Sequence, residues 1–421
     1  MLQELKIKFS NFLLSLSDAM DIANSAIALH QMRTAFIAWK LGLVAGLSEE
    51  SIERLYLAAL LHDIGALSLE EKIQMLIDFE NTNPNIHCLL GEALLEQSPL
   101  LRKSAKIVRH HHTYWKDWKE SIDNPLVLES QIVCLSDEIE RSISRNVYIL
   151  HQVNKLIGRM VSISGKKIHK DVVDIFMQVS KYEDFWLDLT SPRLYSLLLH
   201  CGPFRNVEIE RENISTIASI FRHVVDFKSR FTATHSTGVA ECGVILAQYC
   251  GFTNREIEEI KIAGFFHDLG KLAIPNSILE KQDTLSKEEF DIIKQHPYFT
   301  YTVLNSIGGL NNIAEWAAFH HEKLDGSGYP FHIKSDRISL GSRILAVSDI
   351  FTALSEDRPY RKGLDSKEVK EILKTKVKEN SLDKRIVSFL LENYKEIEQK
   401  VKEKQQESIE FFEKKFFLLK K

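Results

Sequence analysis

The feature that most constrains this sequence is a pattern of seven histidine and aspartate residues that occurs twice in the same order. The two sets are His30, His62, Asp63, His87, His111, His112 and Asp137, and His235, His267, Asp268, His296, His320, His321 and Asp349. Corresponding residues lie 205 positions apart at the start (235 − 30), then 209 (296 − 87) and finally 212 (349 − 137). An offset that grows only in small steps is typical of a tandem duplication with short loop insertions. The chain is therefore predicted to contain two copies of one domain.

The segments that lead into both His-Asp pairs have helical periodicity. Before His62-Asp63, apolar residues recur at positions i, i+3, i+4, i+7 and i+8, which is the spacing of a buried helical stripe. These residues are Ile52, Leu55, Tyr56, Ala59 and Leu60. In the second copy, Thr253 and Glu256 have the spacing of a capping box, and Gly270 is predicted to stop the helix. Few alternating β-branched runs occur, so the predicted fold class is all-α.

Length and composition agree with two domains. The chain has 421 residues, of which 44% are hydrophobic and 27% charged, enough for two cores of about 200 residues each. We predict a first copy over 1–190, a connecting helical segment over 191–225, a second copy over 226–395 and a helical tail over 396–421. The tail is alternately charged and aromatic, which predicts a helix that either docks back on its own domain or pairs with a second subunit in a homodimer.

Charge and cysteine content exclude several classes of protein. The formal net charge is −4, so no basic field argues for binding to duplex nucleic acid. Five cysteines without a CxxC motif, and a start that does not resemble a signal peptide, predict a reducing, cytoplasmic compartment. No apolar run approaches the roughly 18–20 residues that span a bilayer, so we expect no membrane span.

The repeated residues are suited to a pair of metal ions. Adjacent His and Asp side chains on a helix point about 100° apart, so they can serve two neighbouring ions rather than one. Imidazole and carboxylate without thiolate favour iron, manganese or zinc over a purely structural zinc site. Two metals about 3.5–4 Å apart can clamp the attacking and leaving oxygens of a displacement at phosphorus. The pattern therefore predicts phosphodiester hydrolysis.

The second copy, over about 220–395, resembles an HD-GYP domain, a subgroup of the HD phosphohydrolase superfamily. The matching segments, in family order, are Phe231–Ser236, His267–Lys271, Lys294–Pro297, His320–Pro330 with its Gly-Tyr-Pro end, and Asp349 followed by Asp357–Arg361. The resemblance implies hydrolysis of cyclic di-GMP by a metal-bridging hydroxide, giving linear pGpG, with further cleavage to GMP left open. It also implies lower levels of a bacterial second messenger.

The resemblance also implies residue roles. One divalent metal, with iron or manganese foremost, would take His235, His267, Asp268 and Asp349, and the other Asp268, His296, His320 and His321. Asp268 and Lys271 would be catalytic, with Lys271 as a possible proton donor to the leaving 3′ oxygen. Arg358, Arg361, Lys271, Tyr329 and Gly328 would contact substrate. A solvated lysine after a glycine and an arginine-containing surface turn remain alternatives for Lys271 and for the two arginines.

One position bears on the number of metals. Family members that hold three metals have a glutamate four residues before the first histidine, and here that position is Phe231. We therefore expect two metals, although a core phenylalanine needs no such reason to be there.

The first copy keeps all seven ligand positions but departs from the HD-GYP pattern elsewhere. Ala66 stands in place of the lysine, a Thr113–Trp118 loop replaces the Gly-Tyr-Pro loop, and Asn146 and Ile149 stand where the arginines would be. Three interpretations stay open: a metal-loaded regulatory domain, a relic with structural histidines, or a hydrolase with another substrate. The spacing favours His111 and His112 over His110 as the ligand pair, and Trp115 and Trp118 would either stack on a purine or pack.

Two other functions compete with cyclic di-GMP hydrolysis. The same site would serve another cyclic dinucleotide, such as cyclic GMP-AMP. A protein of a different class would bind the messenger without turnover and act as a receptor. Retention of Lys271 and of every ligand argues against a receptor. As a hypothesis for the input signal, the first copy would report iron or redox state through its metal or through Cys88 and Cys134.

Overall fold

Helices form almost all of the regular structure. The computed structural model describes residues 7–21, 28–66, 85–228, 234–281, 283–356 and 362–419. Within these ranges the only strands are Ile7–Lys8 and Glu208–Ile209, so the all-α class is confirmed. The chain divides into two compact units, Lys6–Ile209 and Glu210–Lys421, called here the first and second unit. No helix in these ranges has the length and apolar character that a membrane crossing needs.

The first unit contains the first copy of the pattern. Its α-helices are Phe9–Asp21, His30–Val44, Glu49–Leu60, Asn85–Leu95, Arg102–His110, Pro125–Ser142, Ile149–Ser162, Lys170–Val179, Glu183–Leu189 and Leu194–Cys201, with a 3₁₀ turn at Trp115–Asp117. The two short strands pair antiparallel, with Ile7 opposite Ile209. This pairing joins the two ends of the described first unit.

The second unit contains the second copy of the pattern and ends in a long helix. Its α-helices are Arg211–Phe227, His235–Tyr249, Asn254–Phe266, Asn276–Leu279, Lys287–Ile293, Gln295–Ile307, Asn311–Ala318, Leu340–Ser355, Ser366–Lys378, Lys384–Glu392 and Tyr394–Leu419. Short 3₁₀ helices lie at Leu269–Ala273 and Ser335–Arg337. The terminal helix docks on its own unit, where the Gln405 amide donates to the Thr234 carbonyl at 3.3 Å.

Helix starts and the buried stripe follow the local sequence. Ser48 accepts a hydrogen bond from the Ser51 backbone at the start of Glu49–Leu60, and Thr253 forms a capping box with Glu256. Both devices satisfy backbone donors that a helix leaves free at its first turn. The five stripe residues from Ile52 to Leu60 are all buried. The predicted helix ending at the first His-Asp pair is thus confirmed.

The same helices pack together in both units. In the first, His30–Val44 packs on Glu49–Leu60 and on Pro125–Ser142. In the second, His235–Tyr249 packs in the same way on Asn254–Phe266 and Leu340–Ser355. Each trio brings the first histidine, the His-Asp pair and the last aspartate of one copy to a common centre. The predicted tandem duplication is confirmed.

The predicted connecting segment, 191–225, is divided between the units. Leu194–Cys201 packs with helices of the first unit, including Phe9–Asp21. Arg211–Phe227 packs on Asn254–Phe266 of the second unit, with Ile217, Ala218 and Phe221 buried. Its apolar stripe therefore serves as a core face of the second unit, and the division of the chain falls between Ile209 and Glu210.

Gly270 does not stop a helix, contrary to the expectation from sequence. The preceding helix ends at Phe266, and Gly270 lies inside the 3₁₀ helix Leu269–Ala273. A Cβ atom at Gly270 would stand 1.9 Å from the His296 carbonyl oxygen, and one at Gly65 would stand 2.1 Å from that of His87. In both units the glycine is needed because two backbones meet there without room for a side chain.

Candidate metal centre

Six of the seven predicted ligands of the second unit lie at or near the end of a helix, and the seventh, Asp349, lies within one. His235 begins its helix, His267 caps the end of the next, and His320 and His321 follow Asn311–Ala318. His296 lies in the first turn of Gln295–Ile307, and Asp349 lies within Leu340–Ser355. Helix ends leave backbone carbonyls unpaired, and in this centre such carbonyls accept hydrogen bonds from ligand histidines.

Three of these imidazoles are held by a backbone carbonyl three residues earlier in the chain. The Nδ1 donors pair as His267 with Gly264 at 2.8 Å, His296 with Ile293 at 2.7 Å and His320 with Ala317 at 2.6 Å. A ring whose Nδ1 donates in this way carries its lone pair on Nε2. Each Nε2 is therefore oriented as an acceptor toward the centre, as metal-binding histidines usually are.

The ligand atoms form two adjacent groups. His235, His267 and Asp268 make one, and His296, His320 and His321 make the other, with all ligand atoms of a group within 4.8 Å of one another. Asp268 joins the two groups, because its Oδ2 lies 3.2 Å from His267 Nε2 and its Oδ1 lies 3.4 Å from His296 Nε2. Such a carboxylate can bridge two ions.

Asp349 completes the set. Its Oδ1 lies 3.0 Å from His235 Nε2, and its Oδ2 lies 4.0 Å from His321 Nδ1. The structure therefore brings together all seven residues that the sequence predicted for the second unit.

The donor set fits divalent cations. The Nε2 atoms of His296 and His320 lie 3.4 Å apart. Because the Nδ1 of each ring donates its proton to a backbone carbonyl, both Nε2 atoms are acceptors and cannot hydrogen-bond to each other. His267 Nε2 is buried and makes no hydrogen bond within the described part of the chain. Buried lone pairs that face one another are unfavourable, and a shared cation relieves this. Nitrogen and carboxylate oxygen donors suit iron, manganese or zinc.

Burial and neighbouring carboxylates set the charge of the imidazoles. Burial lowers the pKa of His296 to about 3 and that of His320 to about 4, so both rings are neutral, the form that binds metal. Burial acts in the same direction on His235, but Glu356 and Asp349 overcome it and raise its pKa to about 10. A cation bound at His235 Nε2 would replace that proton.

Lys271 is paired rather than freely solvated. Its Nζ donates to Asp268 Oδ2 at 2.5 Å, and its side chain is 24% exposed. Burial disfavours the ionised form of Asp268, yet His267 and Lys271 hold the pKa of that carboxyl well below its usual range. The ammonium group thus lies beside the Asp268 carboxylate and remains partly open to solvent.

The Gly-Tyr-Pro loop folds back on the histidine pair. Tyr329 packs against His321, with ring centroids 4.8 Å apart. Buried Glu322, which the sequence analysis did not single out, accepts from the backbone of Phe331 at 2.7 Å and of Ile333 at 3.1 Å. The close approach at Gly328 is to the chain itself, since a Cβ there would stand 2.5 Å from the Cα of Glu322.

A carboxylate outside the predicted set orients the first histidine of each unit. Glu356 accepts from His235 Nδ1 at 3.1 Å, and Glu140 accepts from His30 Nδ1 at 2.6 Å. Glu140 is buried, and Arg145 and Arg33 pair with it. Sequence comparison of the copies could not find these residues because they occupy different positions in the repeat.

A second pair of residues that the sequence analysis missed does follow the repeat. Asp226 Oδ1 accepts from the Ser236 hydroxyl at 2.5 Å and from its backbone at 3.3 Å. Asp21 Oδ2 accepts from the Gln31 backbone at 3.0 Å. The offset is 205 for both partners (226 − 21, 236 − 31). Each aspartate fixes the first turn of the helix that starts with a ligand histidine.

The first unit builds a similar centre. Its ligand atoms also form two groups, which are His30, His62 and Asp137, and Asp63, His87, His111 and His112. His62 and His111 donate from Nδ1 to the carbonyls of Ala59 at 2.8 Å and Val108 at 2.6 Å. The Nε2 atoms of His30 and His62 lie 3.3 Å apart, as do those of His87 and His111.

Asp63 again stands between the two groups. Its Oδ2 lies 3.6 Å from His62 Nε2, and its Oδ1 lies 3.6 Å from His87 Nε2. His110 lies apart from these groups, where it contacts Thr113 and Trp118. The arrangement fits cations for the same reason as in the second unit.

The surroundings of the first centre differ from those of the second. Ala66 is buried and offers no cation to Asp63, while Arg141 lies 3.4 Å from Asp137 Oδ2. The loop that replaces the Gly-Tyr-Pro segment is tied down, because the Trp115 backbone donates to the Lys167 carbonyl at 2.8 Å. Trp115 itself packs on His169. The first centre thus has the ligands without the lysine.

Three residues named in the sequence analysis, Phe231, Arg358 and Arg361, lie outside the described residues.

Comparison with protein families gives two matches. One model described as HD domain matches residues 216–386, and another with the same description matches residues 27–142. Each match contains the ligand histidines of one unit.

Curated relatives are phosphodiesterases of cyclic dinucleotides. The 3′3′-cGAMP-specific phosphodiesterase 1 of Vibrio cholerae is 30% identical over 376 residues, which cover 86% of this chain and 86% of that protein. The cyclic di-GMP phosphodiesterase response regulator RpfG of Xanthomonas campestris is 34% identical over 160 residues, covering 37% of this chain and 41% of that protein.

A solved structure shares the fold. The crystal structure of a cyclic GMP-AMP specific phosphodiesterase of V. cholerae superposes with a TM-score of 0.64 at 21% identity, covering 91% of this chain and 96% of that one.

Proposed function

Because this chain belongs to the HD-GYP group of HD-domain proteins and is a metal-dependent cyclic-dinucleotide phosphodiesterase, we propose that its second unit hydrolyses 3′3′-cyclic GMP-AMP. The second unit is the catalytic one in this proposal. The observation that carries this assignment is the pairing of a complete seven-residue ligand set with Lys271, whose counterpart in the first unit is the buried Ala66.

In this proposal the seven ligands hold two cations, and each side chain has a defined task. Divalent cations in such a site activate water and neutralise charge on the phosphodiester. Asp268 offers one oxygen to each ligand group. Lys271 carries a proton at Nζ, 2.5 Å from Asp268, where it can protonate the leaving 3′ oxygen. Tyr329 keeps His321 in place.

The choice of substrate rests on the extent of similarity. The V. cholerae enzyme named for 3′3′-cGAMP matches 86% of this chain, which spans both units. Relatives named for cyclic di-GMP match a smaller share of this chain, as with the 37% covered by the Xanthomonas regulator. Cyclic di-GMP, the substrate implied by the Gly-Tyr-Pro motif, is therefore the second candidate, with linear pGpG as its product.

For the metals we propose iron or manganese. The ligand groups of the second unit hold only imidazoles and carboxylates. Such donors favour iron or manganese, whereas structural zinc sites usually contain cysteine thiolates. Two ions match the two groups and the bridging position of Asp268.

For the first unit we propose metal loading without this chemistry. Its ligand groups match those of the second unit, whereas Ala66 cannot donate a proton. A regulatory role for the loaded first unit is the interpretation that these two facts support.

The test is anaerobic purification, metal analysis and incubation with 3′3′-cyclic GMP-AMP and cyclic di-GMP in parallel. We expect a linear product from the wild type, higher kcat/KM for cyclic GMP-AMP, and no product from His267→Ala. His62→Ala is the matched variant in the first unit and should keep the metals of the second. Faster turnover of cyclic di-GMP would replace the substrate assignment, and product from His267→Ala would overturn the assignment of the second unit.

A further inference from the structure

A buried lysine is attached to the 3₁₀ helix that carries Lys271. Lys228 follows the helix Arg211–Phe227 and is 4% exposed. Its Nζ donates to the Leu272 carbonyl, and its own carbonyl accepts from Asn276 Nδ2 at 3.1 Å. Lysine is almost never buried unless its ammonium group is paired, because burying the charge is costly. A bond kept at this cost points to a role for the segment that it holds.

The backbone around Lys271 is held on both sides. The residue before it, Gly270, donates its N–H to Thr300 Oγ1 at 2.9 Å. The residue after it, Leu272, accepts from the Lys228 ammonium group. A 3₁₀ helix has poorer internal hydrogen bonds than an α-helix, and this one has only five residues. The two outside bonds therefore fix the backbone from which the Lys271 side chain extends.

The copy that has no lysine at the position of Lys271 also lacks both supports. Ala23 takes the position of Lys228 (228 − 205). Gly91 takes that of Thr300 (300 − 209) and has no hydroxyl. By contrast, the backbone carbonyls that orient ligand histidines occur in both units. The two supports thus go with the lysine rather than with the metal centre.

We propose that Lys228 and Thr300 are positioning residues for Lys271: they hold its backbone so that the ammonium group can reach the leaving oxygen. The inference rests on the proposed role of Lys271 as proton donor. A displacement of about 1 Å can lower a rate about 10²-fold, so loss of either support should slow the chemical step by up to that factor. Metal content should not change, because neither side chain belongs to the ligand groups.

The test compares two substrates that differ in their need for a proton donor. Cleavage of the cyclic dinucleotide breaks a P–O bond, and the leaving 3′ oxygen takes the proton of Lys271. Bis(p-nitrophenyl) phosphate releases p-nitrophenolate, which leaves without a proton. On the first substrate, Lys228→Met and Thr300→Val should lose up to about 10²-fold in single-turnover rate. On the second, both should keep near wild-type rates, as Lys271→Ala should.

Double variants separate positioning from general damage. Adding Lys228→Met or Thr300→Val to Lys271→Ala should cause no further loss, because the supports act only through that side chain. Lys228→Arg keeps a charged donor and should lose less than Lys228→Met. The matched control is Thr302→Val on the same helix, which removes a hydroxyl bonded to the Phe299 carbonyl and should leave both rates unchanged.

Metal content and the free energy of unfolding are measured alongside the rates. Equal losses on both substrates, loss of metal, or additive losses in the double variants would show a structural role and overturn the inference. Wild-type rates in Lys228→Met and Thr300→Val would also overturn it, while leaving the role of Lys271 intact. A wild type that cleaves no cyclic dinucleotide, or an unchanged rate in Lys271→Ala, would overturn the proposed function and this inference with it. If Lys228→Met does not fold, Thr300→Val decides.

Discussion

One added methyl group at Gly270 should disable the second metal centre. The Cβ of Gly270→Ala would stand 1.9 Å from the His296 carbonyl oxygen and 2.9 Å from the Thr300 nitrogen. Real Cβ contacts are essentially never shorter than 3.0 Å. The two backbones must therefore separate by about 1.1 Å (3.0 − 1.9), which is a large displacement for a ligand helix.

The contacts of Gly270 show which groups this displacement would move. The Gly270 backbone donates to Thr300 Oγ1 at 2.9 Å, and that hydroxyl donates to the His267 carbonyl at 3.1 Å. Thr300 and His296 lie on the same helix, Gln295–Ile307. Moving this helix therefore separates His296 from His267 and from Asp268, whose Oδ1 lies 3.4 Å from His296 Nε2. A misplacement of about 1 Å can lower the rate about 10²-fold, and overpacking costs about 1–3 kcal/mol of stability.

Three measurements test this prediction: metal content, kcat/KM for the cyclic dinucleotide, and the free energy of unfolding. Gly270→Ala should lose metal from the second unit and about 10²-fold in kcat/KM. Gly65→Ala, whose Cβ would stand 2.1 Å from the His87 carbonyl, applies the same perturbation to the first unit and should spare the metals of the second. Gly158→Ala, with nothing within 4 Å, is the neutral control. Wild-type metal content and activity in Gly270→Ala would refute the reasoning.

Three further substitutions test the residues around the ligands. Lys271→Ala should keep the metals and lower kcat by about 10²–10⁴-fold, the usual contribution of a general acid. An unchanged rate of the chemical step in pre-steady-state assays would contradict the role of Lys271 as proton donor. Glu356→Ala should lower metal affinity or activity about 10–100-fold, because His235 loses the acceptor of its Nδ1 proton. Excess metal should restore the activity. Glu356→Gln keeps an acceptor and should have a smaller effect in the same metal titration. Asp226→Ala should cost about 1 kcal/mol in denaturant unfolding through loss of a helix cap, with Asp226→Asn less affected, and equal midpoints for the two variants would contradict the capping role.

The sequence was sufficient for the parts of this protein that repeat in register. The duplication, the all-α class and the helices that lead into the His-Asp pairs follow from the spacing of polar ligands and from 3.6-residue periodicity. The ligand positions could be named because seven residues kept their order in both halves. Asp21 and Asp226 could have been found in the same way, since they share the 205-residue offset and were overlooked because a lone aspartate before a helix is common.

Other features depend on distances that no sequence pattern contains. Gly270 fits a helix-stop pattern, yet its requirement comes from the His296 backbone, which lies 26 residues later (296 − 270). Cys88 follows a ligand histidine on a helix, where successive side chains point about 100° apart. Only the folded structure shows its sulfur 3.6 Å from the nitrogen of that histidine.

The carboxylates that orient the first histidines stand at different positions in the two units. Glu140 lies inside the helix Pro125–Ser142, whereas Glu356 caps the end of Leu340–Ser355. By the 212-residue offset, Thr352 would answer to Glu140 (140 + 212) and Ser144 to Glu356 (356 − 212). The hydrogen bond to Nδ1 is thus common to both units, although the residue that makes it is not. Since an unoriented imidazole binds metal poorly, a relic with purely structural histidines would have no need of a carboxylate at a new position. The first unit has one, which argues that its histidines still serve a metal.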